Sequence, residues 1–162
     1  MEHFDHAMAA RAQRHPDDAL FDALPGAGSA RAPRLLVAFG EQRERYGAAE
    51  ELQPYAGIAP VLERSGKQSW VHWRCQCPKC LRQTFVEWAT GSIRLSGWAR
   101  AYYEQQRAKG ASHQAAVRAL AFKWLRIVFR CWQTRVAYNE SVYIAALQRR
   151  GSSLIANLAP PS

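Results

Sequence analysis

The longest helical pattern in the sequence lies between Ser112 and Trp132. Ser112 suits the N-cap position, where a side-chain oxygen accepts a hydrogen bond from the backbone of the first helical turn. A helix of this length with one apolar face needs neighbouring elements to cover that face, so we expect it to be the central helix of a mainly α domain. The apolar residues follow the three- and four-residue steps of a helix face and are Val117, Leu120, Trp124, Val128, Cys131 and Trp132.

Proline and glycine residues divide the rest of the chain into shorter segments. We predict helices over residues 2–14, 16–24, 29–39 with Ser29 as the cap, 48–55, 78–91, from the turn near residue 97 to residue 109, and from Asn139 or Ser141 to residue 150. Segment 58–74 contains Pro60 and Gly66 and then alternates over residues 70–73, which predicts a loop that leads into a short extended segment. We therefore expect a small multi-helix domain over residues 16–151. We also expect residues 1–15 to be a helical tail of a missing upstream region and residues 152–162 to be a frayed tail.

Composition limits the class of protein. With 48% hydrophobic residues the chain can fill a core, and no apolar run approaches the roughly 20 residues that cross a membrane. The first residues include Glu2 and Asp5 instead of a basic start followed by an apolar stretch, so no secretory leader is predicted. We expect a cytoplasmic protein without a membrane partner.

Positive charge is concentrated in the middle of the chain. The formal net charge is +9, and residues 61–135 carry fourteen basic side chains against three acidic ones. The acidic residues are Glu63, Glu87 and Glu104. A surface of this sign attracts polyanions, so nucleic acid is the expected partner, and a solvated basic face without a partner is the alternative.

Three of these cations lie three and four residues apart on the predicted central helix. They are Lys123, Arg126 and Arg130. This spacing places them on one stripe away from the apolar face. The stripe is consistent equally with a row of phosphate contacts and with an ordinary solvated helix face.

Neither a magnesium cage nor a complete zinc site follows from the sequence. Three carboxylates in residues 61–135 are too few for a two-metal nuclease, and the acids of residues 1–60 fall on what look like exposed helix positions. His72, Cys75, Cys77 and Cys80 lie within nine residues, but the only distant cysteine is Cys131. They form either a compact zinc site or a set of small, partly buried thiols. We predict no metal in this chain and leave the zinc alternative open.

A tight glycine turn separates two of the predicted helices. Gly26 and Gly28 follow Pro25, and the arrangement over about residues 19–40 resembles a helix-hairpin-helix. Glycines let the backbone approach a phosphate closely, and the N–H groups at the start of the next helix point towards an anion. A purely structural turn is an equal alternative.

Four segments, in order, resemble the C-terminal domain of transposases of the IS110, IS116 and IS902 insertion sequences. They are Leu24-Pro25-Gly26-Ala27-Gly28, Tyr55-Ala56-Gly57-Ile58-Ala59-Pro60, Ser65-Gly66-Lys67 and Leu81-Arg82-Gln83. The resemblance covers about residues 20–150, and the combination is more specific than any one segment. It implies DNA transposition and recombination by a mobile element.

The resemblance also implies a larger enzyme than this chain. In the family, an N-terminal RuvC-like domain with four acidic residues binds magnesium, and the C-terminal domain supplies a serine that forms a covalent phosphoserine. A structured noncoding guide RNA and a homo-oligomer with composite sites belong to the same expectation. We expect the RuvC-like domain to be missing from this chain, and we therefore expect the chain alone to bind DNA without joining it.

The residues around the predicted serine also suit attack on a phosphate. Ser65 is the predicted nucleophile, with Ser69 as the neighbouring alternative, and Arg64 departs from relatives that place a serine at that position. Arg64 and Lys67 can neutralise phosphoryl oxygens, and Glu63 is the nearest base. We expect DNA contacts from Gly26, Gly28, Arg64, Lys67, Arg74, Lys79 and Arg82. The alternative function is a non-catalytic, structure-selective nucleic-acid-binding module.

Overall fold

The computed structural model of the chain describes residues 15–58, 61–65, 68–72 and 79–158, and for residues 61–65, 68–72, 79 and 80 it describes the backbone element alone. The elements are α1 (Asp18–Asp22), α2 (Gly28–Phe39), α3 (Ala49–Tyr55), β1 (Val61–Ser65), β2 (Gln68–His72), α4 (Lys79–Leu95), α5 (Gly97–Ala108), α6 (His113–Thr134) and α7 (Glu140–Arg149). Two short 3₁₀ helices, Arg43–Arg45 and Ser153–Asn157, complete the order. The predicted mainly α fold is confirmed.

Helix α6 is the central helix of the domain. It packs against α3, α4 and α5, and its apolar face is buried as the periodicity predicts. Ser112 is the N-cap, and its hydroxyl accepts a hydrogen bond from the backbone N–H of Ala115. Trp124 lies at the centre, with its ring centroid 4.9 Å from that of Trp88 on α4 and 4.6 Å from that of Trp98 on α5. Three helices therefore meet around one indole ring.

Each fully buried tryptophan of the described core donates its indole N–H to another element. An indole donor without an acceptor in a dry core would destabilise the fold, so these bonds fix how the elements pack. Two of the bonds go to backbone carbonyls: Trp88 donates to Pro25 at 2.9 Å, and Trp132 donates to Gly40 at 3.2 Å. The other two go to side-chain hydroxyls: Trp98 donates to Tyr138 at 2.6 Å, and Trp124 donates to Ser92 at 2.8 Å.

A buried ion pair fastens the start of α1 to the end of α6. Arg43 donates from its Nη2 to the Asp17 carboxylate at 2.7 Å and from its Nε to the Trp132 carbonyl at 2.8 Å. Its guanidinium carbon also lies 5.3 Å from the centroid of the Trp132 ring. We call Arg43, Asp17 and Trp132 the Arg43 clasp. The clasp orients the pair of helices that carries the glycine turn.

The hairpin formed by β1 and β2 corrects the prediction for segment 58–74. A loop was expected up to residue 69, whereas Val61–Ser65 is a strand that pairs antiparallel with Gln68–His72. Ser65 pairs with Gln68, and Arg64 pairs with Ser69. The sequence of β1 does not predict a strand, because apolar and polar residues do not alternate in Val61-Leu62-Glu63-Arg64-Ser65. The strand is defined by its backbone pairing with β2.

Two helix ends also differ from the prediction. Helix α2 begins at Gly28, with Ala27 in the N-cap position and no side-chain cap, so the prediction that Ser29 caps this helix is wrong. Gly28 has a φ of +53°, which favours glycine where the chain turns into the helix. Helix α4 continues through Gly91 to Leu95 instead of ending at the glycine. Tertiary packing explains this continuation, because Gly91 lies against the glycine turn.

The end of the described chain is ordered against the core. A frayed tail was expected from residue 152, whereas Ser153–Asn157 forms a 3₁₀ helix with Leu154 buried. The hydroxyl of Ser153 accepts a hydrogen bond from the side chain of Gln105 on α5 at 3.1 Å. The predicted helix over residues 2–14 lies outside the described residues. No helix in the described ranges combines the length and the apolar character that crossing a bilayer requires.

Candidate nucleic-acid interface

The predicted nucleophile lies at the end of a strand. Ser65 is the last residue of β1, and its pairing with Gln68 leaves residues 66 and 67 as the connection between the strands. Arg64 precedes Ser65 on the same strand. The structure therefore brings Arg64 and Ser65 to the tip of the hairpin, while Lys67 and Arg74 lie outside the described residues.

Lys79 and Arg82 lie in the first turn of α4, as predicted. Arg82 is half-buried and has contacts of its own. The glycine turn lies farther along the same helix, because a Cβ atom built on Gly26 would come within 3.4 Å of the carbonyl carbon of Gly91. From Lys79 to Gly91 the helix rises by about 18 Å. Lys79 and Arg82 thus lie near one end of α4, and the glycine turn lies about 18 Å farther along it.

The glycine turn is bound tightly to the helical body. The carbonyl of Pro25 accepts from the Trp88 indole, and the carbonyl of Gly26 accepts from Nη1 of Arg31 at 3.2 Å. Gly26 has a φ of +78°, which favours glycine without any DNA contact, and a Cβ atom on it would lie in ordinary van der Waals contact with the backbone of α4. Gly28 differs, because a Cβ atom on it would meet nothing within 4 Å. The DNA contacts of both glycines stay predictions.

Several basic side chains of the middle segment cap helix ends. Arg100 donates to the carbonyls of Ile93 and Arg94 at the C-terminal end of α4, both at 3.4 Å. Arg107 donates to the carbonyl of Ala111 at 2.8 Å, in the loop after α5. A cation suits the position of Arg100 because the C-terminal carbonyls of a helix are partly negative, whereas Arg107 ties the last turn of α5 to the loop before α6. The high positive charge of the segment therefore has a structural component as well as an expected electrostatic one.

The three cations predicted on one stripe of α6 have different environments. Lys123 is half-buried, and its Nζ lies 4.5 Å from the centroid of the Tyr102 ring on α5. Arg126 is exposed and forms an ion pair with Glu50 of α3 at 3.4 Å. Arg130 is exposed one turn farther along. Burial, and next the charge of Arg126, lowers the pKa of the Lys123 ammonium. We call Lys123, Arg126 and Arg130 the α6 stripe, which is bordered by α5 and by α3.

Sequence reasoning missed the partners that hold these cations. The Arg43 clasp and the pair of Arg126 with Glu50 join positions far apart in the chain, and no local pattern announces either contact. The acidic spacing of the first sixty residues did indicate exposed helix positions, and Glu50 is indeed exposed. Only the fold shows that it faces the basic helix.

Metal ligands do not converge in the part of the chain that the structure describes. No group of three His, Cys, Asp or Glu side chains lies close enough to hold a metal ion among those residues. Cys131 is a half-buried free thiol whose pKa is raised, mainly by burial. The zinc alternative at His72, Cys75, Cys77 and Cys80 falls on residues whose side chains the structure does not describe. The residues at hand thus do not fit a magnesium cage.

More than half of the chain matches a known protein family. Residues 18–104 match the transposase family described by IS116, IS110 and IS902. This range contains all four segments on which the resemblance was drawn.

Three curated proteins are similar to the chain over most of its length. The mini-circle protein for IS117 of Streptomyces coelicolor is 32% identical over 135 residues, which are 83% of this chain and 33% of that protein. The 42 kDa protein of insertion element IS900 of Mycobacterium paratuberculosis is 29% identical over 144 residues, which are 88% of this chain and 36% of that protein. The 43.6 kDa protein of IS110 of Streptomyces coelicolor is 29% identical over 132 residues, which are 79% of this chain and 32% of that protein. The chain therefore spans about a third of the length of the curated relatives it matches.

Proposed function

Because the chain belongs to the IS116, IS110 and IS902 family of transposases, we propose that it is the serine-bearing, DNA-binding C-terminal part of an insertion-sequence transposase. The observation that carries this proposal is the family match over residues 18–104, which includes the whole β1–β2 hairpin with Ser65 at the end of its first strand. The net charge of +9 supports a polyanionic substrate.

Ser65 is proposed as the nucleophile that attacks a DNA phosphodiester. Its hydroxyl loses a proton, its oxygen forms a bond to phosphorus, and one bridging ester oxygen leaves and takes up a proton, so that the cut strand stays attached through a phosphoserine. A serine hydroxyl needs activation for this attack, because it is a weak nucleophile at neutral pH. Arg64 and Lys67 are proposed to neutralise the phosphoryl oxygens, and Glu63 is the nearest carboxylate in sequence to accept the proton.

The remaining parts of the reaction are assigned outside this chain. We propose that magnesium is bound by an N-terminal RuvC-like domain, as the family resemblance implies. A guide RNA, a homo-oligomeric assembly and a cytoplasmic location complete the proposal. The isolated chain should consequently bind DNA and leave donor and target strands unjoined, even with magnesium present.

A strand-joining assay tests the role of Ser65. The chain replaces the matching region of the full-length IS117 protein, and the hybrid receives Ser65→Ala or, as the matched control, Ser69→Ala. Ser69 pairs with Arg64 on the neighbouring strand, so both substitutions remove one hydroxyl from the same hairpin. Ser65→Ala should abolish joining and leave DNA binding intact, whereas Ser69→Ala should retain both.

The opposite outcome distinguishes the second function. If the hybrid joins strands equally well with alanine at position 65, Ser65 is not the nucleophile. If neither hybrid nor chain joins DNA and the chain still binds it with a steep salt dependence, the non-catalytic nucleic-acid-binding module describes the protein better.

A further inference from the structure

We propose that the α6 stripe is a second contact surface for the backbone of duplex DNA, separate from the Ser65 hairpin. This inference rests on the proposed function, because it names how the same substrate is held. The stripe consists of Lys123, Arg126 and Arg130, and it lies on the central helix and not on the segment that carries the serine. Substitution of Ser65 should therefore leave DNA binding by the α6 stripe unchanged.

The geometry of the stripe suits a row of phosphates. At about 100° per residue, the three side chains leave α6 within an arc of about 60°. From Lys123 to Arg130 the helix rises by about 10 Å, and one strand of B-DNA carries a phosphate about every 3.4 Å along its axis. Three cations over this length match three to four successive phosphates.

The charges of the stripe are incompletely balanced within the described fold. Glu50 is the acid that contacts it, and the Glu50–Arg126 pair is exposed, with side-chain accessibilities of 61% and 59%. An exposed pair of this kind stabilises a protein by only about 0–1 kcal/mol, so a phosphate can displace the carboxylate at little cost. Lys123 is packed on Tyr102 next to a like charge, an arrangement that an added anion would relieve.

Glu50 makes the surface testable in two directions. Removing Arg126 or Arg130 should weaken DNA binding, and removing Glu50 should strengthen it, because Arg126 is then released for phosphate. Matched controls change the net charge by the same amount elsewhere: Arg149→Gln on α7 in place of Arg126→Gln, and Asp22→Asn on α1 in place of Glu50→Gln. All four of these positions are exposed.

The experiment titrates a short fluorescein-labelled DNA duplex with the purified 162-residue chain and follows fluorescence anisotropy at several salt concentrations. Each phosphate contact contributes about 0.9 to the magnitude of the slope of log association constant against log salt concentration. Relative to 1 M salt, one contact therefore strengthens binding about eightfold at 0.1 M salt. Arg126→Gln and Arg130→Gln should each lose about that factor and about that slope. Glu50→Gln should bind several-fold more tightly, while both controls stay within about twofold of the wild type.

Each alternative result has a defined meaning. Equal losses for Arg126→Gln and Arg149→Gln, or equal gains for Glu50→Gln and Asp22→Asn, would show that net charge alone acts and would overturn the α6 stripe while leaving DNA binding by the chain in place. An Arg126 effect on a single-stranded RNA of the same sequence that exceeds the effect on the duplex would overturn duplex DNA as the occupant. Absence of any binding by the wild type would overturn the proposed function itself. Equal urea midpoints of all variants establish that each is folded.

Discussion

Replacement of Arg43 by alanine is expected to remove a large part of the stability of the fold. The side chain is 14% exposed and its partner Asp17 is 7% exposed, so the ion pair is shielded from water. Alanine leaves the Asp17 carboxylate buried without its cation and the Trp132 carbonyl without its donor. Breaking a buried pair from one side costs about 3–5 kcal/mol. We expect the lower end, about 3 kcal/mol, because the Arg43 side chain keeps 14% exposure and the pair is therefore not completely buried.

Urea unfolding followed by tryptophan fluorescence measures this loss. With a urea dependence of about 2 kcal/mol/M, the midpoint should fall by about 1.5 M. Arg45→Ala is the matched control on the same 3₁₀ helix. Its guanidinium carbon lies 5.3 Å from the ring centroids of Tyr46 and Tyr55, and such exposed contacts contribute about 0.5–1 kcal/mol.

A double-mutant cycle separates the ion pair from the other contacts of Arg43. Asp17→Asn removes the charge that Arg43 compensates, so Arg43→Ala should cost at least about 1.5 kcal/mol less in that background. Strict additivity, or a loss of under about 1 kcal/mol for Arg43→Ala alone, would refute the claim that this clasp fastens α1 to α6.

Four further substitutions test the core, the glycine turn and the pH dependence by the same unfolding measurement. Ser92→Ala removes the buried acceptor of the Trp124 indole and should cost about 1–3 kcal/mol, and an unchanged midpoint would contradict this role. Gly26→Ala and Gly28→Ala should each destabilise the fold by about 1–2 kcal/mol, because both positions have a positive φ that alanine adopts only with strain, and an unchanged midpoint for either would contradict this. Burial raises the pKa of Tyr143 to about 12, so the folded state holds this proton more tightly than the unfolded state, and stability should fall as the pH rises from about 10 to about 12. Tyr143→Phe should flatten that fall, and an unaltered profile would show that Tyr143 does not contribute to it.

The helices could be predicted because their signals are local. The apolar steps between Val117 and Trp132 lie within α6, and the Ser112 cap and the glycines that follow α2, α5 and α7 lie within two residues of the helices they delimit. Helix α4 shows the limit of this reasoning. Gly91 has the residue type of a helix end, but its backbone packs against Gly26 of the distant glycine turn and the helix runs on to Leu95, which no local signal indicates.

The hairpin shows the same limit for strands. β1 carries two apolar and then three polar residues, between Pro60 and Gly66, so its local signals indicate a loop. Pairing with β2 creates the strand, and pairing is a contact between segments. Strand periodicity detects burial of one face and fails where that pattern is absent.

The candidate interface could be predicted in its residue types and not in its arrangement. The spacing of Lys123 and Arg126 places both on one stripe, yet Tyr102 covers the lysine and Glu50 pairs with the arginine. Both partners come from other helices. Gly26 likewise has the backbone freedom that a phosphate contact needs, but its surroundings on α4 give it a packing role.

Peptide mapping of a trapped protein–DNA adduct tests the central claim most directly. The sequence aids this measurement, because trypsin cleaves after Arg64 and Lys67 and so places Ser65 and Ser69 on different peptides. The full-length hybrid is reacted with a DNA substrate that traps the covalent product, then digested with trypsin and nuclease and analysed by mass spectrometry. We predict a nucleotide mass added to the peptide that contains Ser65. A nucleotide on the peptide that contains Ser69, or on neither peptide while strands are joined, would contradict the assignment of Ser65 as the nucleophile.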